Sequence, residues 1–202
     1  MRKNNLKKKN KGYFRNGLKD SIDFVKLNSN NIKTISYIFA IFLIVAFFIP
    51  TPELLSRIIQ EKLRLIVLET QNLDTLQLVQ YIFLNNAGIS LMALILGILF
   101  GILPVLFAIS NGYIIGYVAR LAVDNNGILF LWRIFPHGIF ELPAVIISLA
   151  LGFGMGRNLF NKKPKFSLYS QLKLSLKTFF YIVLPLLILA AFIEGILIVF
   201  FG

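Results

Sequence analysis

Residues 88–123 read GISLMALILGILFGILPVLFAISNGYIIGYVARLAV, and the number of times this stretch crosses a membrane decides the fold. No charged residue occurs between Asp74 and Arg120. The stretch is too long for one crossing and barely long enough for two of ~17–20 residues each. Charge in the neighbouring segments settles the number. Loop 157–177 carries Arg157, Lys162, Lys163, Lys165, Lys173 and Lys177 and no acid, which places it on the cytoplasmic side. The helix before it, about 134–156, must then run inward. At the other end of the chain, ten Lys and Arg in residues 1–33 hold the N-terminus inside, and no charge follows until Glu53. That charge-free segment crosses outward and leaves residues 51–87 outside. The helix ending near Leu103 therefore runs inward, and one outward crossing is still required, which only about 104–123 can supply.

The expected fold is all-α, a polytopic transmembrane helical bundle. Its spans are 34–50, 88–103, 104–123, 134–156 and 178–200, with the C-terminus extracytoplasmic. Composition agrees: 57% of the 202 residues are hydrophobic and 15% charged, and mean hydropathy is +0.76. The absence of cysteine excludes disulfides, zinc–thiolate sites, iron–sulfur ligation and thiol catalysis. A net charge of +12 would suit nucleic acid, but the cations flank apolar segments and no nucleic-acid module is visible. The expected partners are the bilayer and other proteins or further copies of the chain, with no cofactor and no nucleic acid.

Residues 1–31 form a basic cytoplasmic tail. Within it Phe14, Leu18, Ile22 and Val25 recur at helical spacing, as in a short helix lying on the membrane face; a loose tail is the alternative. The apolar segment after Lys33 lies too far from the start, and lacks the small-residue cleavage site, to be a removable signal, so it reads as a signal anchor ended by Pro50-Thr51-Pro52. In the extracytoplasmic segment 52–84, Thr51 is positioned to cap a helix on which Leu54, Leu55, Ile58, Ile59, Leu63, Ile66 and Val67 share a face. Asn72 or Asp74 starts a second short helix reaching Phe83.

The polar residues carry the functional question. His137, the single histidine, lies four residues from Glu141, so the two share a helix face. Glu194 falls at a similar depth in the last span. Asn85 and Asn86 open the second span, Arg120 and Asp124 close the third, and Arg133 precedes the fourth, all on the outer side. Ionisable groups at membrane depth are costly and mark partners, cavities or sites. Three readings are open: ion pairs of Glu141 or Glu194 with Arg120 or Arg133, a proton- or ion-coupled translocation site, or a metal site of His137, Glu141 and Glu194. Pro104 and Ser110-Asn111-Gly112 read as interruptions of the central pair, either a kinked packing helix or the lining of a path. Gly97/Gly101, Gly112/Gly116 and Gly152/Gly156 have the spacing that lets helix backbones approach. No Ser–His–acid or Walker arrangement is visible, so no catalytic residue is expected.

Asn85-Asn86, the glycine-rich second helix, Asn111-Gly112 with Gly116, Pro136-His137-Gly138 with Glu141 and Ala144, Gly152, and Ala190-Ala191 with Glu194-Gly195 together resemble the stage II sporulation protein M family. The resemblance covers roughly Ile32 to Gly195, and the PHG-x-x-E and AA-x-I-E-G elements are its most specific parts. It implies a multi-helix membrane protein. The sporulation member of that family belongs to a membrane complex with two peptidoglycan-degrading partners. The resulting expectation is a non-enzymatic scaffold or complex component in the cell membrane. A small transporter or channel subunit with an ion site at His137, Glu141 and Glu194 is the alternative, and an intramembrane metalloenzyme the third.

The topology is testable because the chain has no cysteine of its own. Single cysteines at Asn28, Gln71, Asn125, Lys163 and Gly202 are expected to react with an impermeant thiol reagent from outside only at Gln71, Asn125 and Gly202. Labelling of Lys163→Cys in intact cells would overturn the five-span count.

Overall fold

In the computed structural model the described residues are 17–133, 135–162 and 164–201, apart from the side chains of 132, 133, 135–137 and 198–201. The basic tail before Gly17, Gly202, and the side chains of Arg133, His137 and Lys163 lie outside them. The described residues are mostly helical, with no strand among them. The helices are α1 (Gly17–Leu27), α2 (Ser29–Phe48), α3 (Glu53–Thr70), α4 (Thr75–Leu96) and α5 (Ile102–Asn126). After a 3₁₀ turn (Ile128–Arg133) come α6 (Phe135–Leu159), α7 (Leu168–Thr178), a π turn (Phe179–Val183) and α8 (Leu184–Phe201). Five segments are long and apolar enough to cross a membrane: α2, α4, α5, α6 from Gly138, and the run Leu168–Leu197.

Several boundaries differ from the sequence reading, each for a local reason. The second span begins at Thr75 rather than near residue 88. Asp74 accepts a hydrogen bond from Gln77 N at 2.8 Å while the Gln77 side chain accepts from Asp74 N at 3.0 Å. This capping box starts a helix that nothing stops before Leu96, so the expected short helix ending at Phe83 does not exist separately. Pro104 falls in the first turn of α5, where its missing N–H breaks no bond. Ser110-Asn111-Gly112 lies inside that helix without interrupting it. Asn111 Nδ2 donates to Phe107 O at 2.8 Å and Ser110 Oγ to Leu106 O at 3.0 Å, so the helix itself satisfies both side chains. Upstream, Ile49 is extended (ψ 132°), as a residue before proline prefers, and Pro52 rather than Thr51 holds the cap position of α3. In the last span the π turn precedes Pro185. That proline offers no N–H to Tyr181 O and its ring crowds the same carbonyl, so the widened turn relieves both.

α4, α6 and α8 pack mutually, α2 pairs closely with α5, and α6 touches both groups. α6 is the central helix; Ala144, Ser148, Leu149, Ala150, Leu151 and Met155 are all buried. A Cβ at Gly112 or Gly116 would collide with the Phe39 or Leu43 carbonyl, which explains how closely α2 and α5 approach. Gly152 sits against Ala93 O, where a Cβ would come within 2.6 Å, and Gly156 sits against the backbone of Phe100 and Gly101. Gly97 and Gly101 do not form one helical stripe. They bound the α4–α5 turn, in which Gly101 (φ 71°) and Phe100 (φ 56°) are left-handed. Ser148 Oγ donates to Ser90 O at 2.7 Å, tying α6 to α4 in the core.

α1 packs on α7 through a face the sequence reading did not select. Asp20, Ser21 and Phe24 are buried, while Leu18 and Ile22 of the expected stripe are 54% and 41% exposed. Asp20 accepts a 2.7 Å hydrogen-bonded ion pair from Lys177 Nζ, with both side chains largely buried. Buried polar groups dictate this face: Asn31 Nδ2 donates to Asn28 Oδ1 at 3.0 Å, and a Cβ on Gly154 would meet that amide pair.

Gly116→Leu is expected to lower the stability of the purified protein by about 3 kcal/mol or more, because the obstacle it meets is backbone. Gly88→Leu, whose Cβ meets open space, should stay within about 0.5 kcal/mol of wild type. Equal melting behaviour of the two variants would contradict the α2–α5 packing.

Candidate functional site

A cavity of about 730 Å³ opens among α2, α3, α4, α5, α6 and α8, at the end of the bundle that carries α3. Its walls are apolar side chains, among them Leu43, Phe47, Ile82, Ile114, Ile139 and Leu142. Five polar side chains interrupt them: Tyr81, Asn85 and Asn86 from α4, Glu141 from α6 and Glu194 from α8. The register of the helices explains the grouping. α4 and α6 begin at this end and α8 finishes there, so residues 85–86, 141 and 194 come to a similar depth. Gly195 fixes the α8 side of this register, since a Cβ there would strike Val79 on α4.

Glu194 is half-buried, and among the described residues no hydrogen-bond donor or cation meets its carboxylate. Glu141 is also half-buried and does make an interaction. His137 lies in the first turn of α6, four residues before Glu141 on one continuous helix; its side chain is outside the described residues. Among the described residues no three His, Cys, Asp or Glu side chains gather as a metal site would require. The metal reading thus rests on His137 alone to complete its set.

Other expected members of the cluster lie apart from the cavity lining. Arg120 pairs with Asp124 of its own helix at 3.5 Å, and its Nη1 is buried with no partner among the described residues. Asn111 bonds its own helix, as described above. The six glycines of the packing stripes act at helix crossings and at the α4–α5 turn, away from the lining.

α3 covers the cavity and was the least well anticipated element. Leu63 and Ile66 face the cavity, and Ile59 is buried against Ala46 and Tyr117. Hydroxyls hold the helix in place. Tyr117 shares a 2.7 Å hydrogen bond with Ser56 and accepts from Gln60 at 2.8 Å, and Tyr81 donates to Glu69 at 2.7 Å. Tyr113 donates to Thr51 at 3.2 Å just before the helix. None of these tyrosines was singled out from sequence. The signal available was their spacing: Tyr113 and Tyr117 lie one turn apart on α5.

The pattern of the family described as Stage II sporulation protein M matches residues 34–197. The chain belongs to that family. An uncharacterized protein of Methanocaldococcus jannaschii is 34% identical over 134 residues, a match covering 62% of this chain and 58% of that protein. No solved structure matches. The matched residues include all five polar groups of the cavity, α3 and the central helix α6, so the site lies within the family region.

Proposed function

We propose that this multi-pass membrane protein is a non-enzymatic component of a membrane complex, and that α3 is its partner-facing element. The observation that carries this reading is that α3 has two apolar faces. At about 100° per residue, Ser56, Ile59, Leu63 and Ile66 fall on the side toward the bundle. Leu54, Ile58, Leu65 and Leu68 fall on the opposite side, and they are 74%, 58%, 51% and 49% exposed. Their spacing of four, seven and three residues is that of a seam onto which another helix packs, with Glu61 at the position between Ile58 and Leu65. With Glu53, Arg57, Glu61, Lys62, Arg64 and Glu69 in its length, α3 is too charged to span. The single apolar face read from the sequence was thus a merger of two.

The basic groups at the α1–α7 end support an extracytoplasmic position for α3, by the preference of Lys and Arg for the cytoplasmic side. The family resemblance supports the same role, since its sporulation member works inside a membrane complex. The transport alternative is favoured by the cavity and its two glutamates. Among the described residues the cavity lining runs no further toward the α1–α7 end than Asn86 and Ile114, near the middle of α4 and α5.

The combined variant Leu54→Ser, Ile58→Ser, Leu65→Ser tests the proposal. In membranes of the native host, solubilised gently and sized on a native gel, wild type should migrate in a larger assembly. The variant should shift to lower mass while its membrane content stays unchanged. The same size for both proteins would contradict a partner on this face.

A further inference from the structure

We infer that the cavity beneath α3 is a binding site for one amphipathic molecule with an apolar tail and a cationic amine head, the amine set against Glu194. Size excludes a spanning helix as occupant. A helix about 10 Å wide and 30 Å long fills roughly 2,400 Å³, against about 730 Å³ here. That volume falls within the usual range for small-molecule sites. The lining has the distribution such sites show, apolar over most of its surface with a few polar groups that fix orientation.

Charge selects the head group. Glu194 lines the cavity with no partner among the described residues, while Glu141, which also lines it, already makes an interaction. Glu194 meets no donor among the described residues, and a carboxylate at membrane depth ordinarily finds a partner. An ammonium group would supply that partner, and Asn85 and Asn86 provide further side-chain acceptors on the facing helix. A fatty acid or phosphate head would instead set like charge against Glu194. The apolar tail would then lie along Phe47, Ile114 and Ile139. This inference does not depend on whether α3 carries a protein partner.

The probe is a dodecylamine bearing a diazirine in its alkyl chain, applied to the full-length protein in nanodiscs and mapped by mass spectrometry after photolysis. Saturable labelling of peptides from α2, α5 or α6 that line the cavity is expected. Excess dodecylamine should reduce it at least tenfold, and dodecanoic acid should not. Glu194→Gln should lose the labelling at least tenfold, and Glu194→Asp, which keeps the charge, should retain most of it. Ala119→Phe fills the cavity while leaving both glutamates, and it should also abolish labelling. Each variant is scored only if it elutes as wild type does on size exclusion. Equal competition by dodecanoic acid, or unchanged labelling in Glu194→Gln or Ala119→Phe, would overturn the assignment and reduce the cavity to space filled by bulk lipid.

Discussion

Backbone contact along α6 is the constraint on which the rest of the structure depends. In lipid, apolar helices gain little by burying apolar surface on one another, so association relies on close packing and interhelical hydrogen bonds. α6 supplies both. Gly152 and Gly156 admit the backbones of α4 and of the α4–α5 turn, and Ser148, one turn before Gly152, bonds a carbonyl of α4. These contacts set the relative heights of α4, α5 and α6. Gly195 against Val79 then sets α8 to the same scale. The meeting of residues 85–86, 141 and 194 is a consequence of that registration.

The two ends of the bundle use polar groups differently. At the α1–α7 end they are consumed by structure: Asp20 with Lys177, Asn28 with Asn31, each satisfying a group that burial would otherwise leave costly. At the α3 end they line open volume, and α3 closes over them through tyrosine hydroxyls and a small apolar contact rather than through a deep core. Elements held by few buried contacts open more readily than cores do. The arrangement places a helix held by few buried contacts above a cavity lined by acids, so access to that cavity is linked to how firmly α3 is held.

Much of this was legible in the sequence, for identifiable reasons. Span number followed from charge placement, which acts through the bilayer and needs no tertiary knowledge. The depth of Glu141 and Glu194 followed from span direction and helical rise, and the Gly112/Gly116 and Gly152/Gly156 spacings marked real crossings. Boundaries were less legible because polarity was taken for termination. Asn85-Asn86 and Ser110-Asn111-Gly112 are polar, yet a helix accepts them, in the second case by bonding the side chains to its own carbonyls. The Asp20–Lys177 pair joins residues 157 apart, and no local pattern points to it beyond the presence of an acid in a basic tail. The two-faced character of α3 was hidden for another reason. Its apolar residues are numerous enough to look like one broad stripe until a neighbour divides them.

The registration of α8 against α4 is the claim from which the cavity, its acids and their common depth all derive. It can be measured directly in a chain that has no cysteine. Val79→Cys combined with Gly195→Cys should form a disulfide under mild oxidation in membranes, detected as altered mobility that reductant reverses. Val79→Cys with Ala191→Cys, one turn away, should form far less. Preferential cross-linking of the second pair, or of neither, would contradict the shared height of Glu194 and Asn85-Asn86 and remove the basis for the site.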